Sequence, residues 1–254
     1  RDLHLSLRRQ RQMCIRDSSS IRLISSGAAP LGQELEQACA NRLDCQIYQG
    51  YGLTEVAGAS HVNTIPVPTD KVGAVGRVVP NTYSKIIDTE SGQELGVNQK
   101  GEVLIRGPHV MKGYLNNKDA TDHCIDEEGW FHTGDIGYAD EDGYFFIVDR
   151  VKELIKYKAY QVAPAELEAI LVAHEAIEDA AVIPSPDEEA GEIPKGFIVL
   201  NQDISAETIM NFVAEQVAPH KKIRKIEIVD EIPKSASGKI LRRVLVEQER
   251  SKID

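Results

Sequence analysis

The sequence predicts an α/β segment, then a small antiparallel sheet or barrel, and finally a compact α+β unit. Strand and helix patterns alternate after residue 20, strand patterns separated only by turns fill the middle, and both patterns alternate again towards the C-terminus. Alternating strands and helices are typical of a parallel sheet, whereas consecutive strands are typical of an antiparallel one. We expect the last boundary near residues 149–150.

The α/β segment is predicted to hold two strands joined by a helix. Residues 21–24 are short and apolar, which predicts a buried strand, and residues 46–48 predict a second strand. Between them, Leu35, Cys39 and Leu43 recur at helical spacing.

The antiparallel part and the C-terminal α+β part are predicted from turn residues and from residues that start helices. Strands are predicted at 83–88, 102–106, 144–149, 151–157, 180–183, 197–200 and 226–229. Pro164 suits the first position of a helix and Ser205 suits a helix cap. A last helix is predicted at 240–248.

Composition excludes several classes of protein. The hydrophobic share is 42% and the charged share 27%, which is typical of a globular chain, and no window approaches the ~18 apolar residues of a membrane-spanning helix. A net charge of −11 argues against nucleic-acid binding.

The four cysteines form no CxxC pair and are expected to be small buried residues. The seven histidines show no metal-ligand spacing. Without a secretory signal or a terminal Ser-Lys-Leu, the cytoplasm is predicted.

Residues 1–18 differ from the rest of the chain because they hold five arginines against two aspartates. We interpret them as a non-native, artefactual segment, with a transit peptide as the alternative.

Two loops carry the residue types of a nucleotide site. Thr54 and Glu55 follow a Gly-rich segment and offer a hydroxyl and a carboxylate, a pairing that suits phosphate and Mg²⁺ or simply starts a helix after a Gly-rich loop. Asp135 lies in a predicted tight turn, where it could accept hydrogen bonds from a ribose or simply cap the turn.

Basic residues cluster in two further segments. Lys152, Lys156 and Lys158 would project from one face of a strand, either into solvent or towards phosphates. Lys239 lies in a Ser/Gly-rich loop that is not a Walker motif, since Pro233 occupies the position of its first glycine.

Taken in order, four segments resemble one family. Residues 51–55 (YGLTE), 133–135 (TGD), 149–162 and 233–243 are similar to the C-terminal portion of an adenylate-forming acyl- or aryl-CoA synthetase, the superfamily of 4-coumarate–CoA ligase, fatty acyl-CoA ligases and firefly luciferase. The resemblance implies that residues 19–149 are the C-terminal part of a large AMP-binding domain and that 150–254 are a small mobile domain. It also implies a two-step reaction. A carboxylate attacks Mg·ATP to give acyl-AMP and pyrophosphate, and CoA then displaces AMP.

The resemblance assigns roles by position. Lys239, Thr54 and Glu55 would be catalytic, with Glu55 holding Mg²⁺ and Lys239 bridging the carboxylate and the α-phosphate. ATP or AMP would contact Gln49, Gly50, Tyr51, Thr54, Asp135, Arg150, Lys156 and Lys239, with Asp135 on the ribose. The acyl-adenylate would contact Ala28, Lys152 and Gln161, and CoA would contact Lys158 and Ala159.

Two departures from the family pattern qualify this hypothesis. Ala159 replaces a glycine, which would impair the thioester step if the backbone there needs a positive φ or must let pantetheine pass close. The Ser/Thr/Gly-rich phosphate loop ending Pro-Lys-Gly is absent from these residues, as is most of the acyl pocket, so we expect the N-terminal half of the parent to be missing and the chain to be inactive alone.

Several alternatives stay open. The chain could be an inactive remnant or weak nucleotide-binding module, or its parent could use the acyl-adenylate as luciferase does. The carboxylic acid is not specified. His61 could touch substrate or be a loop histidine without a role, and His132 is expected to be structural.

Overall fold

The computed structural model describes residues 20–28, 31–236 and 238–252. We call the described residues up to 149 the N-terminal unit and those from 150 onward the C-terminal unit. The predicted artefactual segment and Cys14 lie outside the described residues.

The first sheet of the N-terminal unit has the order β1-β2-β3-β4. Its strands are β1 (Leu23–Ser26), β2 (Gln46–Leu53), β3 (Gly58–Val62) and β4 (Arg77–Val78), and helix α1 (Gln33–Leu43) connects β1 to β2. β1 and β2 pair in parallel, as the sequence predicts, while β3 and β4 extend the sheet in antiparallel fashion.

Two expectations for this sheet are wrong. β1 is not buried, since Leu23 is 37% exposed, because β1 is an edge strand with one neighbour in the described part of the chain. On α1, Leu35 faces solvent and Glu36 is buried instead. Glu36 is accommodated because Gln49 and Gly73 donate hydrogen bonds to its carboxylate.

The second sheet is antiparallel, with the order β5-β6-β7-β8. Its strands are β5 (Tyr83–Ile87), β6 (Gly101–Arg106), β7 (Phe131–Ala139) and β8 (Phe145–Arg150), and the short helix α2 (Lys118–Cys124) precedes β7. Among the described residues β5 and β8 do not pair, so the sheet is open and the predicted barrel-like closure does not occur. Val103, Ile105, Phe131 and Phe145 form its core.

The C-terminal unit is a five-stranded sheet covered by helices. Its strands are β9 (Ile155–Tyr157), β10 (Tyr160–Val162), β11 (Ile177–Asp187), β12 (Gly191–Leu200) and β13 (Lys225–Ile228), and its helices are α3 (Pro164–Ala173), α4 (Ala206–Ala214) and α5 (Arg242–Arg250). β12 pairs with β9, β11 and β13. The predicted helix starts are confirmed: Pro164 begins α3, and Ser205 Oγ accepts from Thr208 N at 3.1 Å.

The predicted strand at 151–157 is wrong. Residues Val151–Glu153 form a 3-10 turn and β9 begins only at Ile155. Lys152, Lys156 and Lys158 therefore do not share one strand face, since Lys158 lies in the β9–β10 hairpin turn with φ +53°. The last helix also starts later than predicted, because Lys234 and Ile240 pair as an isolated bridge and hold the preceding loop.

The cysteines differ from expectation as well. Cys39, Cys45 and Cys124 are free and only half-buried. Burial raises the pKa of Cys45 and of Cys124.

Candidate nucleotide site

Three side chains from β2, β7 and β8 converge at the centre of the candidate site. The Tyr51 hydroxyl donates to Asp135 Oδ2 at 2.5 Å, and Arg150 Nε donates to Asp135 Oδ1 at 2.7 Å. The Asp135 side chain is 8% exposed, whereas that of Arg150 is 56% exposed. Burial, followed by the nearby Asp135 charge, raises the pKa of Tyr51, so its hydroxyl stays a donor.

Asp135 does not lie in a tight turn, as predicted, but within β7. A register shift against β6 accommodates Thr133 and Gly134, and Gly134 has φ +68°. Thr133 Oγ1 donates to Val103 O at 2.7 Å and accepts from Asp135 N at 3.0 Å. The bulge thus fixes the backbone from which the carboxylate projects towards Tyr51.

Thr54 and Glu55 begin the 3-10 turn Thr54–Val56 directly after β2. Thr54 is exposed. Glu55 Oε1 accepts from the Tyr114 hydroxyl at 2.8 Å, and Met111 N donates to Glu55 O at 2.7 Å. The hydrogen bond to Glu55 raises the pKa of Tyr114 to about 12.

The end of β1 comes close to β2. Ser26 pairs with Gln49, and a Cβ on Gly27 would lie 3.4 Å from Gly50 O. Ala28 follows with φ +71°. The chain segment that carries Ala28 therefore begins beside Gly50.

Gln49 differs from its neighbours because its side chain is already occupied. It is 4% exposed, and its amide donates to Glu36 Oε2 at 2.6 Å and to Leu31 O at 3.1 Å. These contacts hold β2 against α1.

The predicted basic residues of the C-terminal unit are exposed and dispersed. Lys152 lies in the 3-10 turn, Lys156 pairs with Gln161 across the β9–β10 hairpin, and Lys239 lies in the loop before α5. Within the described ranges, none of the lysines 152, 156, 158 and 239 forms an ion pair. The structure therefore does not bring these lysines into contact with Asp135.

Ala159 does not have the positive φ that the sequence analysis considered. Lys158, one residue earlier, takes the left-handed conformation of this hairpin turn instead. The methyl group of Ala159 therefore causes none of the backbone strain that a glycine relieves at a positive φ.

The two histidines singled out in the sequence both contact other side chains of the N-terminal unit. His61 is not in a loop: it lies on β3, fully buried, with its ring centroid 4.4 Å from that of Phe145. Burial lowers its pKa to about 3. His132 Nδ1 lies 3.1 Å from Glu102 Oε2.

Sequence reasoning missed Glu36 and Tyr114, which hold Gln49 and Glu55 respectively. An acidic residue on a helix and a tyrosine in a loop carry no signal of their partners, which lie 13 and 59 residues away along the chain.

The described residues contain no group of three His, Cys, Asp or Glu side chains that could hold a metal by themselves. Glu55 still fits Mg²⁺ delivered with a nucleotide, because Mg²⁺ in such sites needs only one or two protein carboxylates beside phosphate and water. None of the described helices is long and apolar enough to cross a membrane.

Comparisons with known proteins identify the class. The family described as AMP-binding enzyme matches residues 3–115, and its C-terminal domain family matches residues 166–239. The first match begins inside the segment that we interpret as artefactual, and that interpretation stays a prediction. The matches lie on either side of the predicted boundary.

Curated relatives are CoA ligases. The 4-coumarate–CoA ligase of Pinus taeda is 56% identical over 90% of this chain and 43% of its own length. 4-Coumarate–CoA ligase 1 of Glycine max is 51% identical over 90% of this chain and 80% of its own. The chain belongs to this family of adenylate-forming AMP-binding enzymes. It spans less than half the length of the Pinus taeda relative.

Solved structures agree on the fold. ATP-bound MatB from Rhodopseudomonas palustris is 30% identical, covers 89% of this chain and 45% of its own, and has a TM-score of 0.82. Apo MatB has the same identity and coverage but a TM-score of 0.67. The described arrangement is therefore more similar to the ATP-bound form.

Proposed function

We propose that this chain carries the nucleotide-binding part of an ATP-dependent carboxylate–CoA ligase. The observation that carries the proposal is the convergence of Tyr51, Asp135 and Arg150, in a chain that belongs to the adenylate-forming family. A buried carboxylate that accepts a hydrogen bond from a tyrosine hydroxyl lies beside an aromatic residue, which suits a ribose next to an adenine.

In this proposal Asp135 accepts the ribose hydroxyls. An ionised carboxylate has about four acceptor positions, so Tyr51 and Arg150 leave room for further donors. Because Asp135 is nearly buried, the exposed Arg150 side chain must move aside for the ribose to enter. Arg150 then remains close enough to balance the carboxylate charge.

Thr54 and Glu55 serve the phosphate end of the nucleotide. Thr54 offers an exposed hydroxyl, and Glu55 is oriented by Tyr114 with its second carboxylate oxygen left for Mg²⁺. Bound Mg²⁺ would neutralise phosphate charge as the carboxylate substrate approaches. Lys239 would supply a further cation for this step.

The second step belongs to the β9–β10 hairpin. Lys158 is exposed in the hairpin turn, where its cation suits a phosphate of CoA, and the exposed Lys156 and Gln161 lie beside it on the hairpin. Since Ala159 needs no positive φ, backbone strain does not weaken this part of the proposal, and the close passage of pantetheine past its methyl group stays untested.

The proposal leaves the carboxylic acid unspecified, since relatives are named for different acids. It includes a cytoplasmic location, although one relative is named Peroxisomal OPC-8:0-CoA ligase 1 of Arabidopsis thaliana. Luciferase-like use of the adenylate has no observation in its favour.

Calorimetric titration of the chain with AMP tests the nucleotide site. We expect wild type to bind and Asp135→Ala to bind at least about tenfold more weakly, because hydrogen bonds to a charged group are each worth about 1.5–3 kcal/mol. Asp126→Ala is the control, because it likewise removes an aspartate that accepts two hydrogen bonds, here from backbone amides in a turn outside the site.

Equal AMP affinity in wild type and Asp135→Ala would refute the site. Absence of binding in all three folded proteins would favour the inactive remnant instead.

A further inference from the structure

Asp149 joins the two units through the start of α3. It is 4% exposed, and its Oδ2 accepts from Ala165 N at 2.8 Å while Oδ1 accepts from Arg150 N at 2.7 Å. Helix N-termini leave backbone amides without partners unless a side chain accepts from them. The residue preceding α3, Ala163, has no such side chain. Asp149 therefore caps α3 from outside the C-terminal unit.

Arg242 forms two further ion pairs next to this contact. It lies in the first turn of α5, and its guanidinium donates to Glu168 Oε2 at 2.5 Å and to Glu153. Glu153 belongs to the 3-10 turn between the units, and Glu168 to α3. The Arg242 charge also acts on Asp149 and counters the rise that burial causes in the pKa of Asp149. Arg242 thus ties α5 to α3 and to the 3-10 turn, while Asp149 joins α3 to the end of β8.

The end of β8 faces both units. Arg150 reaches Asp135 in the candidate nucleotide site, whereas its neighbour Asp149 reaches α3. Successive side chains of a strand point to opposite faces. Two adjacent residues therefore connect the nucleotide site on one side and the C-terminal unit on the other.

We infer that Asp149 is a positioning residue that holds the C-terminal unit in the orientation described here, by capping α3 from the end of β8. Nothing in this inference requires the proposed reaction, since it concerns only the contact between the units. It predicts that the orientation depends on a hydrogen-bond acceptor at position 149, and less on the negative charge.

The test compares Asp149→Ala with Asp149→Asn. The asparagine keeps one oxygen that can accept from Ala165 N and gives up only the acceptor for Arg150 N, and asparagine caps helices about as well as aspartate. Asp126→Ala is the control, since it removes a carboxylate that accepts two backbone hydrogen bonds within one unit. Spin labels at Ser91→Cys and Glu207→Cys, in a background whose native cysteines are replaced by serine, report the distance between the units. Both labelled positions are exposed.

We expect Asp149→Ala to broaden the distance distribution and to lower hydrogen-exchange protection of the Ala165 amide about fivefold, as loss of a helix cap does. Asp149→Asn should restore both values, and Asp126→Ala should leave both unchanged. A wild-type distance distribution in Asp149→Ala would overturn the inference, as would failure of Asp149→Asn to restore it.

If Asp149→Ala does not fold, hydrogen exchange measured on the wild type and on Asp149→Asn still tests the inference. The inference then requires the Ala165 amide to be protected like that of Leu167 inside α3, and Asp149→Asn to keep that protection. An unprotected Ala165 amide would overturn it.

Discussion

His61 is fully buried on β3, where its ring packs between Tyr51 and Phe145. Its pKa falls from the ordinary 6.5 to about 3 in the folded chain, because burial disfavours the charged ring. The unfolded chain therefore binds a proton at this ring below pH 6.5, whereas the folded chain does not bind it until the pH falls to about 3. This group contributes stability above pH 6.5 that is lost as the pH falls through that window, by at most about 1.4 kcal/mol per pH unit.

We predict that His61→Phe flattens the dependence of unfolding free energy on pH between 6 and 4 by about one proton. Urea unfolding at several pH values measures the slope. His123→Phe, which replaces an exposed histidine, is the control. An unchanged slope in His61→Phe would show that His61 is protonated in the folded chain.

Gly52 is needed for the close approach of β2 to β3. A Cβ there would lie 1.7 Å from Gly58 O, whereas a Cβ on Gly50 would meet only ordinary contacts from 3.5 Å outward. We predict that Gly52→Ala lowers the unfolding free energy by about 3 kcal/mol and Gly50→Ala by less than about 1 kcal/mol. Thermal unfolding compares them. Similar losses in both variants would contradict this close approach.

At the scale of elements, a buried ion network holds α5 against the C-terminal sheet. Lys195 Nζ on β12 lies 2.5 Å from Glu249 Oε2 on α5 and 2.8 Å from Glu227 Oε2 on β13. Ser185 on β11 donates to Glu249 Oε1 at 2.8 Å. Lys195 and Glu249 are 8% and 5% exposed, so neither charge has water as an alternative partner.

We predict that Lys195→Met destabilises the chain by about 3 kcal/mol, because Glu249 is left as a buried uncompensated charge. Adding Glu249→Gln should recover part of this loss. Lys118→Met, which breaks an exposed pair with Asp122 on α2, should cost less than about 0.5 kcal/mol. Chemical denaturation measures all three. A loss in Lys195→Met no larger than in Lys118→Met would contradict the network.

The same network makes part of the stability depend on pH. Lys195 and Lys252 lower the pKa of Glu227, and Lys195 lowers that of Glu249 against the opposing effect of burial. Stability from depressed carboxyl pKa values is present above the ordinary value of 4.5 and is lost as the pH falls through the folded values.

Elements with strong local signals could be predicted from the sequence. Pro164 and Ser205 mark helix starts by their own chemistry, and the parallel pairing of β1 with β2 follows from the helix between them. β7 could not be predicted, because Gly134 carries the signature of a turn, yet the residues around it pair with β6 and β8 on either side of a bulge.

The candidate site was predictable only in part. Tyr51, Asp135 and Arg150 belong to quoted segments, and the structure brings them together. Their partners Tyr114 and Glu36, and the cap from Asp149 to α3, depend on tertiary contacts that no local pattern encodes. The roles of the exposed lysines stay predictions.

At the scale of the whole molecule, the chain spans 43% of the Pinus taeda ligase, and the resemblance places the phosphate loop outside these residues. We predict that the purified chain binds AMP but does not catalyse ATP–pyrophosphate exchange with any carboxylate of a broad panel. A full-length 4-coumarate–CoA ligase assayed beside it is the positive control. Exchange by the chain alone, at a rate above that of the Lys239→Ala variant, would contradict this prediction.

A crystal structure of the chain with AMP tests the central claim most directly, since it locates the ligand atom by atom. We predict that both ribose hydroxyls lie within hydrogen-bond distance of the Asp135 carboxylate, with the adenine beside the Tyr51 ring and Arg150 shifted from its present contact. AMP bound elsewhere in the crystal, with the Tyr51–Asp135–Arg150 contacts unchanged, would contradict the account.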